Sequence, residues 1–309
     1  MAALPSLRQL GYLVALSEHL NFRVAAQSSF VTQSTLSAGL KELEATLGVQ
    51  LVERDTRKVR LTETGQEIAR RARSLIAQAE DLAKAASASR EPMTGKLRLG
   101  VIPTIAPFLL PRILPEVRTR YPRLKLYLRE DLTERLLERL RSGGLDFLLI
   151  ALPYETGELS LRPVAKDEFW FVSLAGDPLA KEKAVAVEAL DPRDVVLLEE
   201  GHCLREHALQ ACGRHEPWSE SVVEATSLAT LLQMVEGGLG VTLLPEIALK
   251  AGVLNNTGLV ARPFSRKVPS RTIALAARPT SGRLGEMELL GRLIEEKTAP
   301  RGRPRRSQA

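Results

Sequence analysis

Leu7, Leu10, Val14 and Ser17 recur at helical spacing, and a second helical stretch opens at Asn21-Phe22 with Val24, Ala25 and Ala26, small enough to admit a neighbouring helix. A third helix is predicted from Thr32. It has Leu36, Leu40, Leu43 and Leu47 on its buried stripe, Gln33, Ser34, Thr35, Ser37 and Lys41 facing out, and Gly48 as its stop. From Thr64, read as a cap, to Arg90 no proline interrupts the chain, and Ile68, Ala72, Leu75, Ala79, Leu82 and Ala86 alternate spacings of four and three. That is a coiled-coil seam and predicts dimerisation; a single amphipathic helix lying on its own domain would carry the same stripe. Glu91-Pro92-Met93-Thr94-Gly95 then reads as a linker.

Beyond the linker the period changes. Leu97, Leu99 and Val101 alternate as a strand, 107–121 reads as a helix, Leu124, Leu126 and Leu128 as a second strand, 133–141 as a second helix, and 147–151 as a buried third strand. Another strand series begins near 169–174, 271–277 returns as a strand, and a terminal helix covers 284–297. Strands alternating with helices predict a parallel α/β body.

With 309 residues, 44% of them hydrophobic, the chain can build more than one core, which excludes disorder and a disulfide-stapled miniprotein. The apolar run from Gly100 to Pro111 is too short for a membrane helix and holds three prolines, and no signal-like segment opens the chain. A cytoplasmic protein without membrane contact is expected. The net charge of +6 is divided unevenly: residues 1–90 carry +3, residues 297–309 carry +5, and the remainder −2. Positive charge at an end fits contact with a polyanion, whereas Arg301, Arg303, Arg305 and Arg306 among prolines and a glycine read as a disordered basic tail, 301–309.

Short polar side chains at the exposed start of the third helix suit the reading of base edges, and Arg54, Arg57, Lys58 and Arg60 suit phosphate contacts from a wing. A generic three-helix cluster with a charged hairpin shares that pattern. Gly237-Gly238-Leu239-Gly240 precedes a strand, whereas a dinucleotide fingerprint follows one and opens a helix. Neither a Walker A loop nor a G-x-S-x-G elbow occurs, so no cofactor and no enzyme are indicated.

Cys203 and Cys212 are the two cysteines. Cys203 falls at the start of a predicted helix beside His202 and Arg205, where the helix terminus favours thiolate. An intact helix would hold the two Cα atoms about 13 Å apart, and a disulfide tolerates at most about 7 Å, so the sulfurs can meet only if the segment refolds. Three readings remain open on spacing: two inert thiols, a zinc site with Cys203, His207, Cys212 and His215, and a redox pair.

The run Phe22, Ala25-Ala26, Gln33-Ser34-Thr35-Leu36-Ser37, Leu43-Glu44, Leu47-Gly48, Leu51, Arg54, Leu61-Thr62 and Gly65 resembles the winged helix-turn-helix of LysR-type transcriptional regulators across residues 5–65. The resemblance implies a DNA-binding domain at 5–62, a linker and dimerisation helix at 63–91, and an effector domain at 92–300. The last would comprise two periplasmic-binding-protein-like α/β lobes, 92–165 with 267–300 and 166–266. It also implies a homodimer or homotetramer on a pseudo-palindromic operator, with RNA polymerase as a further partner. Gln33, Ser34, Thr35, Ser37, Lys41, Arg54, Arg57 and Lys58 become the DNA-binding residues.

Gly201-His202-Cys203-Leu204-Arg205, the interval to Cys212, Ala225-Thr226-Ser227-Leu228, Ile102-Pro103-Thr104 and Leu109-Leu110-Pro111 resemble the peroxide-sensing activators of that family. By that resemblance Cys203 is the peroxidatic and Cys212 the resolving cysteine, Thr104, Thr133, His202 and Arg205 line the peroxide pocket, and no metal is held. Thioredoxin-like or glutaredoxin-like partners would reset the disulfide. The alternatives are a family member answering to a metabolite between its lobes and a thiol peroxidase-like enzyme.

Overall fold

The structure, a computed structural model, describes residues 4–54, 59–88, 91–190, 194–211, 224–266 and 268–299. Arg57, Lys58, Cys212, His215 and the basic tail lie outside the described residues. The chain divides into two compact units, each taken by itself here.

The N-terminal unit contains α1 (Leu7–His19), α2 (Phe22–Ser28), α3 (Gln33–Leu47), the hairpin β1 (Val52–Arg54) and β2 (Val59–Leu61), and the long α4 (Glu63–Ala88). Side chains fix each start. Ser6 and Gln9 form a capping box on α1, the Asn21 carboxamide accepts from the Arg23 and Val24 N–H groups, and the Thr32 hydroxyl accepts from Thr35 N–H at 3.2 Å. Gly48 closes α3 with φ +70°, a conformation that costs glycine least. Leu13, Leu16, Leu36, Leu40 and Leu43 are fully buried in the core of this three-helix cluster.

The long helix departs from expectation at both its cap and its seam. Its cap is Thr62, whose hydroxyl accepts from Gly65 N–H at 2.9 Å, and the helix begins at Glu63, ahead of Thr64. Ala72 is buried and Ile68 half-buried against the core of its own unit, while Leu75 and Leu82 stay 49% and 76% exposed. Packing on α1, reinforced by Arg73 donating to Ser17 Oγ at 2.5 Å, takes up Ile68 and Ala72 of the apolar stripe and leaves Leu75 and Leu82 exposed.

The larger unit is built on a seven-stranded sheet. Its elements are β3 (Gly95–Val101), α5 (Ala106–Arg120), β4 (Leu124–Glu130), α6 (Thr133–Arg141), β5 (Phe147–Leu152), β6 (Ser160–Leu174), β7 (Leu197–Leu198), α7 (Cys203–Ala211), β8 (Glu224–Ala225), α8 (Leu228–Glu236), β9 (Thr242–Pro245), α9 (Glu246–Lys250), β10 (Leu259–Pro263), β11 (Ser270–Ala277) and α10 (Leu284–Thr298). The strand order is β10-β6-β11-β5-β3-β4, with β9 also on β6. Within this sheet β3 pairs in parallel with β4 and β5, while β11 runs antiparallel to β5 and β6, and β9 and β10 antiparallel to β6; β7 and β8 form a separate parallel pair. The sheet is therefore mixed, not parallel throughout: the late strand β11 returns between two earlier ones.

Strand β6 is the hinge of this arrangement. Its first half pairs with β11 and its second half lies between β9 and β10, so one continuous strand passes from one hydrophobic core to the other. The glycine run ends in a turn: Gly240, at φ +144°, lies so close to Asp194 that a Cβ would meet its carbonyl oxygen at 2.1 Å. Ser227 caps α8 through Thr230 N–H at 3.2 Å. Among the described residues no helix is long and apolar enough to cross a membrane.

Candidate functional site

Helix α3 presents its polar start outward. Gln33, Ser34, Thr35 and Lys41 are exposed and Ser37 half-buried, on the face opposite Leu36, Leu40 and Leu43. The Thr32 hydroxyl also bonds those of Ser34 and Thr35, at 2.9 and 2.8 Å, which pre-orders the first turn. Arg54 ends β1, opposite Val59, and Arg60 lies on β2.

The second site lies where the two cores of the larger unit meet. Helix α7 carries Leu204, Ala208 and Leu209 into one core, yet Cys203 at its first position is 2% exposed and packs in the other. One turn along, the His207 ring faces the carbonyl of Pro153, just beyond β5, at 2.9 Å. A carbonyl can only accept, so Nε2 carries the proton and donates. Nδ1 is then a buried acceptor without a hydrogen-bond partner among the described residues. Burial pushes the His207 pKa below its ordinary value despite that bond, with the Arg271 charge lowering it further, and the ring is neutral.

Burial pushes the Cys203 thiol up. The Arg271 guanidinium and the Thr133 hydroxyl pull it back, and the Glu206 carboxylate opposes them. Arg271 is 1% exposed and sits in register opposite Asp167 across β11 and β6. Its Nε donates to Asp167 at 2.9 Å, while Nη1 and Nη2 donate to the Thr104 hydroxyl and carbonyl at 2.8 and 3.0 Å. The other Asp167 oxygen accepts from Ile247 N–H, at the head of α9, at 2.9 Å. Phe169 stacks under the guanidinium at 5.9 Å.

The Thr104 hydroxyl spends a lone pair on Arg271, leaving its proton to donate elsewhere. Thr133 Oγ1, beside the thiol, is buried with no hydrogen-bond partner at normal distance among the described residues, which costs about 1–3 kcal/mol unless an occupant supplies one. The arrangement is a buried thiol acted on by a fixed cation and the Thr133 hydroxyl, with the Thr104 hydroxyl held on that same cation, suited to a small polar molecule whose charge rises on reaction.

The structure thus sets Thr133 beside Cys203 and links Thr104 to the thiol only through Arg271, which with Asp167 is what sequence reasoning missed. It corrects the role expected of the neighbouring cations. Arg205 turns to Leu198 O at 3.2 Å and pairs with Glu224. His202 is buried, which lowers its pKa to leave it neutral, and it engages the Thr226 backbone and, at 3.9 Å, Glu199. The helix-terminus argument for a low thiol pKa is outweighed by desolvation. Among the described residues no group of three or more His, Cys, Asp or Glu side chains could hold a metal.

Two family models match: "Bacterial regulatory helix-turn-helix protein, lysR family" over residues 7–66 and "LysR substrate binding domain" over residues 90–299. The chain belongs to the LysR family of transcriptional regulators, DNA-binding proteins rather than enzymes. It is 46% identical over 300 residues to the HTH-type transcriptional regulator EstR of Acinetobacter baylyi, covering 97% of this chain and 99% of that one. It is also 42% identical over 295 residues to a probable hydrogen peroxide-inducible genes activator of Streptomyces viridosporus, covering 94% of each. A full-length OxyR variant from Pseudomonas aeruginosa superposes with a TM-score of 0.78 at 34% identity, covering 94% of this chain and 98% of that one.

Proposed function

We propose that this regulator senses hydrogen peroxide through Cys203 and Cys212 and changes its engagement of DNA when they join. The observation that carries the reading is the pairing of the buried Cys203 thiol with the Arg271 charge and the otherwise unpartnered Thr133 hydroxyl. The likeness to peroxide-inducible activators supports it.

In the first step the Cys203 thiolate attacks one peroxide oxygen. The S–O bond forms as the O–O bond breaks, sulfur loses two electrons, and the departing hydroxide takes a proton to leave as water. Arg271 stabilises the charge moving onto the leaving oxygen, with hydrogen bonds from Thr104 and Thr133. In the second step the Cys212 thiol displaces water from the sulfenic acid and a disulfide forms. A thioredoxin-like or glutaredoxin-like dithiol reverses it, becoming a disulfide itself. Because α7 is helical from Cys203 to Ala211, this second step requires the helix to unwind, which takes Cys203 out of its core and releases His207 from Pro153. A bond that demands such refolding is a switch.

The same reading has the regulator act in the cytoplasm as a homodimer joined through α4, or as a tetramer, on a pseudo-palindromic operator and with RNA polymerase. The exposed Leu75 and Leu82 favour self-association along that helix. The match of residues 90–299 to a LysR substrate binding domain keeps a second reading in view, in which a small molecule between the lobes is the signal and the cysteines are inert.

Peroxide titration of the full chain, with the products mapped by mass spectrometry, separates the two. Cys203→Ser should abolish the response. Cys212→Ser should consume peroxide and stop at sulfenic acid or pass slowly to sulfinic acid. A footprint that still switches with peroxide in Cys203→Ser, or a disulfide formed while residues 203–211 keep their amide protection, overturns the mechanism.

A further inference from the structure

Phe30, in the turn between α2 and α3, carries two penalties at once. Its φ is +55°, and its side chain is 96% exposed. The turn closes α2 through Phe30 N–H to Gln27 O at 3.1 Å and Val31 N–H to Ala26 O at 3.0 Å, leaving Phe30 at the left-handed position that glycine or asparagine ordinarily fills. A bulky side chain there is a genuine outlier, and an aromatic ring in solvent gains nothing by burial. Glycine or asparagine would relieve the strain without disturbing the core, because Val31, the next residue, makes the inward contact.

The ring's place in the chain indicates what compensates. Phe30 stands two residues before the Thr32 cap and three before the exposed Gln33-Ser34-Thr35 turn. In a helix-turn-helix the first residues of the second helix meet base edges in the major groove. Hydroxyls and a carboxamide read donors and acceptors there, while the thymine 5-methyl is the one apolar feature and takes an apolar contact. We infer that Phe30 is a DNA-contacting residue that reads a thymine methyl in each operator half-site by apolar contact, extending the base-reading surface of α3 backwards into the turn. The inference rests on α3 reading DNA and is independent of the cysteine chemistry.

The test uses the full-length reduced protein and a duplex selected by it from a random-sequence pool. Each thymine of the selected duplex is replaced singly by uracil, which removes only the methyl. Wild type should lose about fourfold in affinity at one position per half-site, the worth of burying one methyl. Phe30→Gly and Phe30→Asn should bind the unmodified duplex more weakly by at least that factor, lose sensitivity to uracil at that position, and match wild type on random duplex. Both variants should melt at or above the wild-type temperature. Operator affinity equal to wild type, a retained uracil penalty, an equal loss on random duplex, or a lower melting temperature in both variants would each overturn the assignment. If wild type selects no sequence at all, the reading of DNA by α3 fails, and this inference with it.

Discussion

Breaking the Arg271–Asp167 pair from one side should destabilise the larger unit far more than breaking it from both. Arg271→Gln leaves Asp167, 2% exposed, with Ile247 N–H as its one remaining donor in this network. Removing one partner of a buried ion pair costs about 3–5 kcal/mol, where a surface pair costs at most about 1 kcal/mol. Asp167→Asn leaves the cation without its countercharge and should cost a comparable amount. The double variant strands neither charge, so its loss should fall short of the sum by at least about 1 kcal/mol.

Urea unfolding followed by tryptophan fluorescence isolates the relevant unit, because Trp170 and Trp218 are the two tryptophans and the first 90 residues hold neither. With a slope of about 2 kcal/mol per molar urea, either single substitution should move the midpoint down by roughly 1.5–2.5 M. The same proteins, kept folded, separate charge from packing at the thiol. Arg271→Gln should slow peroxide consumption by Cys203, whereas Asp167→Asn, which leaves the guanidinium uncompensated, should not. A single-variant loss under about 1 kcal/mol, simple additivity, or equal slowing of the thiol in both variants would refute the assignment of Arg271 as the buried charge that acts on Cys203.

Further outcomes follow from the same geometry. Because burial raises the Cys203 pKa, peroxide consumption by Cys212→Ser protein, whose sole thiol is Cys203, should climb about tenfold per pH unit between about pH 6 and 8; a flat profile would show the thiolate already formed. His202 and His207 have depressed pKa values, so their contribution to stability is complete above the ordinary value of 6.5 and is lost as pH falls through the lowered values. Stability of the larger unit should therefore decline below that pH, and His207→Gln should shallow the decline by about one proton; an unchanged slope counts against it. Gln33→Ala and Ser37→Ala should each cost about 1–3 kcal/mol at one operator position, while Arg54→Ala should weaken all duplexes and reduce the salt slope by about one; equal loss on random and selected duplex would remove Gln33 and Ser37 from base reading. Leu75→Lys with Leu82→Lys should shift the full chain toward monomer in analytical ultracentrifugation, and an unchanged assembly would rule out α4 as the joint.

The elements were largely legible because local periodicity carries them. The stop of α3 at Gly48, the span of α6, and the helix following Cys203 all depend on residues within one or two turns of the boundary. The cap of α4 lies two residues ahead of the expected Thr64, since Thr62 and Thr64 are chemically alike and only the geometry of Gly65 N–H chooses between them. The parallel sheet expected from alternating strands and helices proved mixed, because where β11 inserts is a long-range choice that no local pattern records.

The sequence by itself determined the third helix with its exposed polar start, the helix that opens at Cys203, and an apolar stripe on a long helix, all properties of residues close together in the chain. Tertiary structure decided which charge reaches the thiol. Arg205 and His202 adjoin Cys203 in sequence, but one is drawn off by Glu224 and the other neutralised by burial. Arg271, 68 residues further along, arrives because β11 pairs with β6 in a register that sets it opposite Asp167 and against Thr104. Tertiary structure also divided the seam of α4, turning Ile68 and Ala72 to its own core and Leu75 and Leu82 to solvent, and made the expected low-pKa cysteine a desolvated one. Burial and electrostatics depend on everything nearby in space, and a sequence specifies that neighbourhood only through the fold.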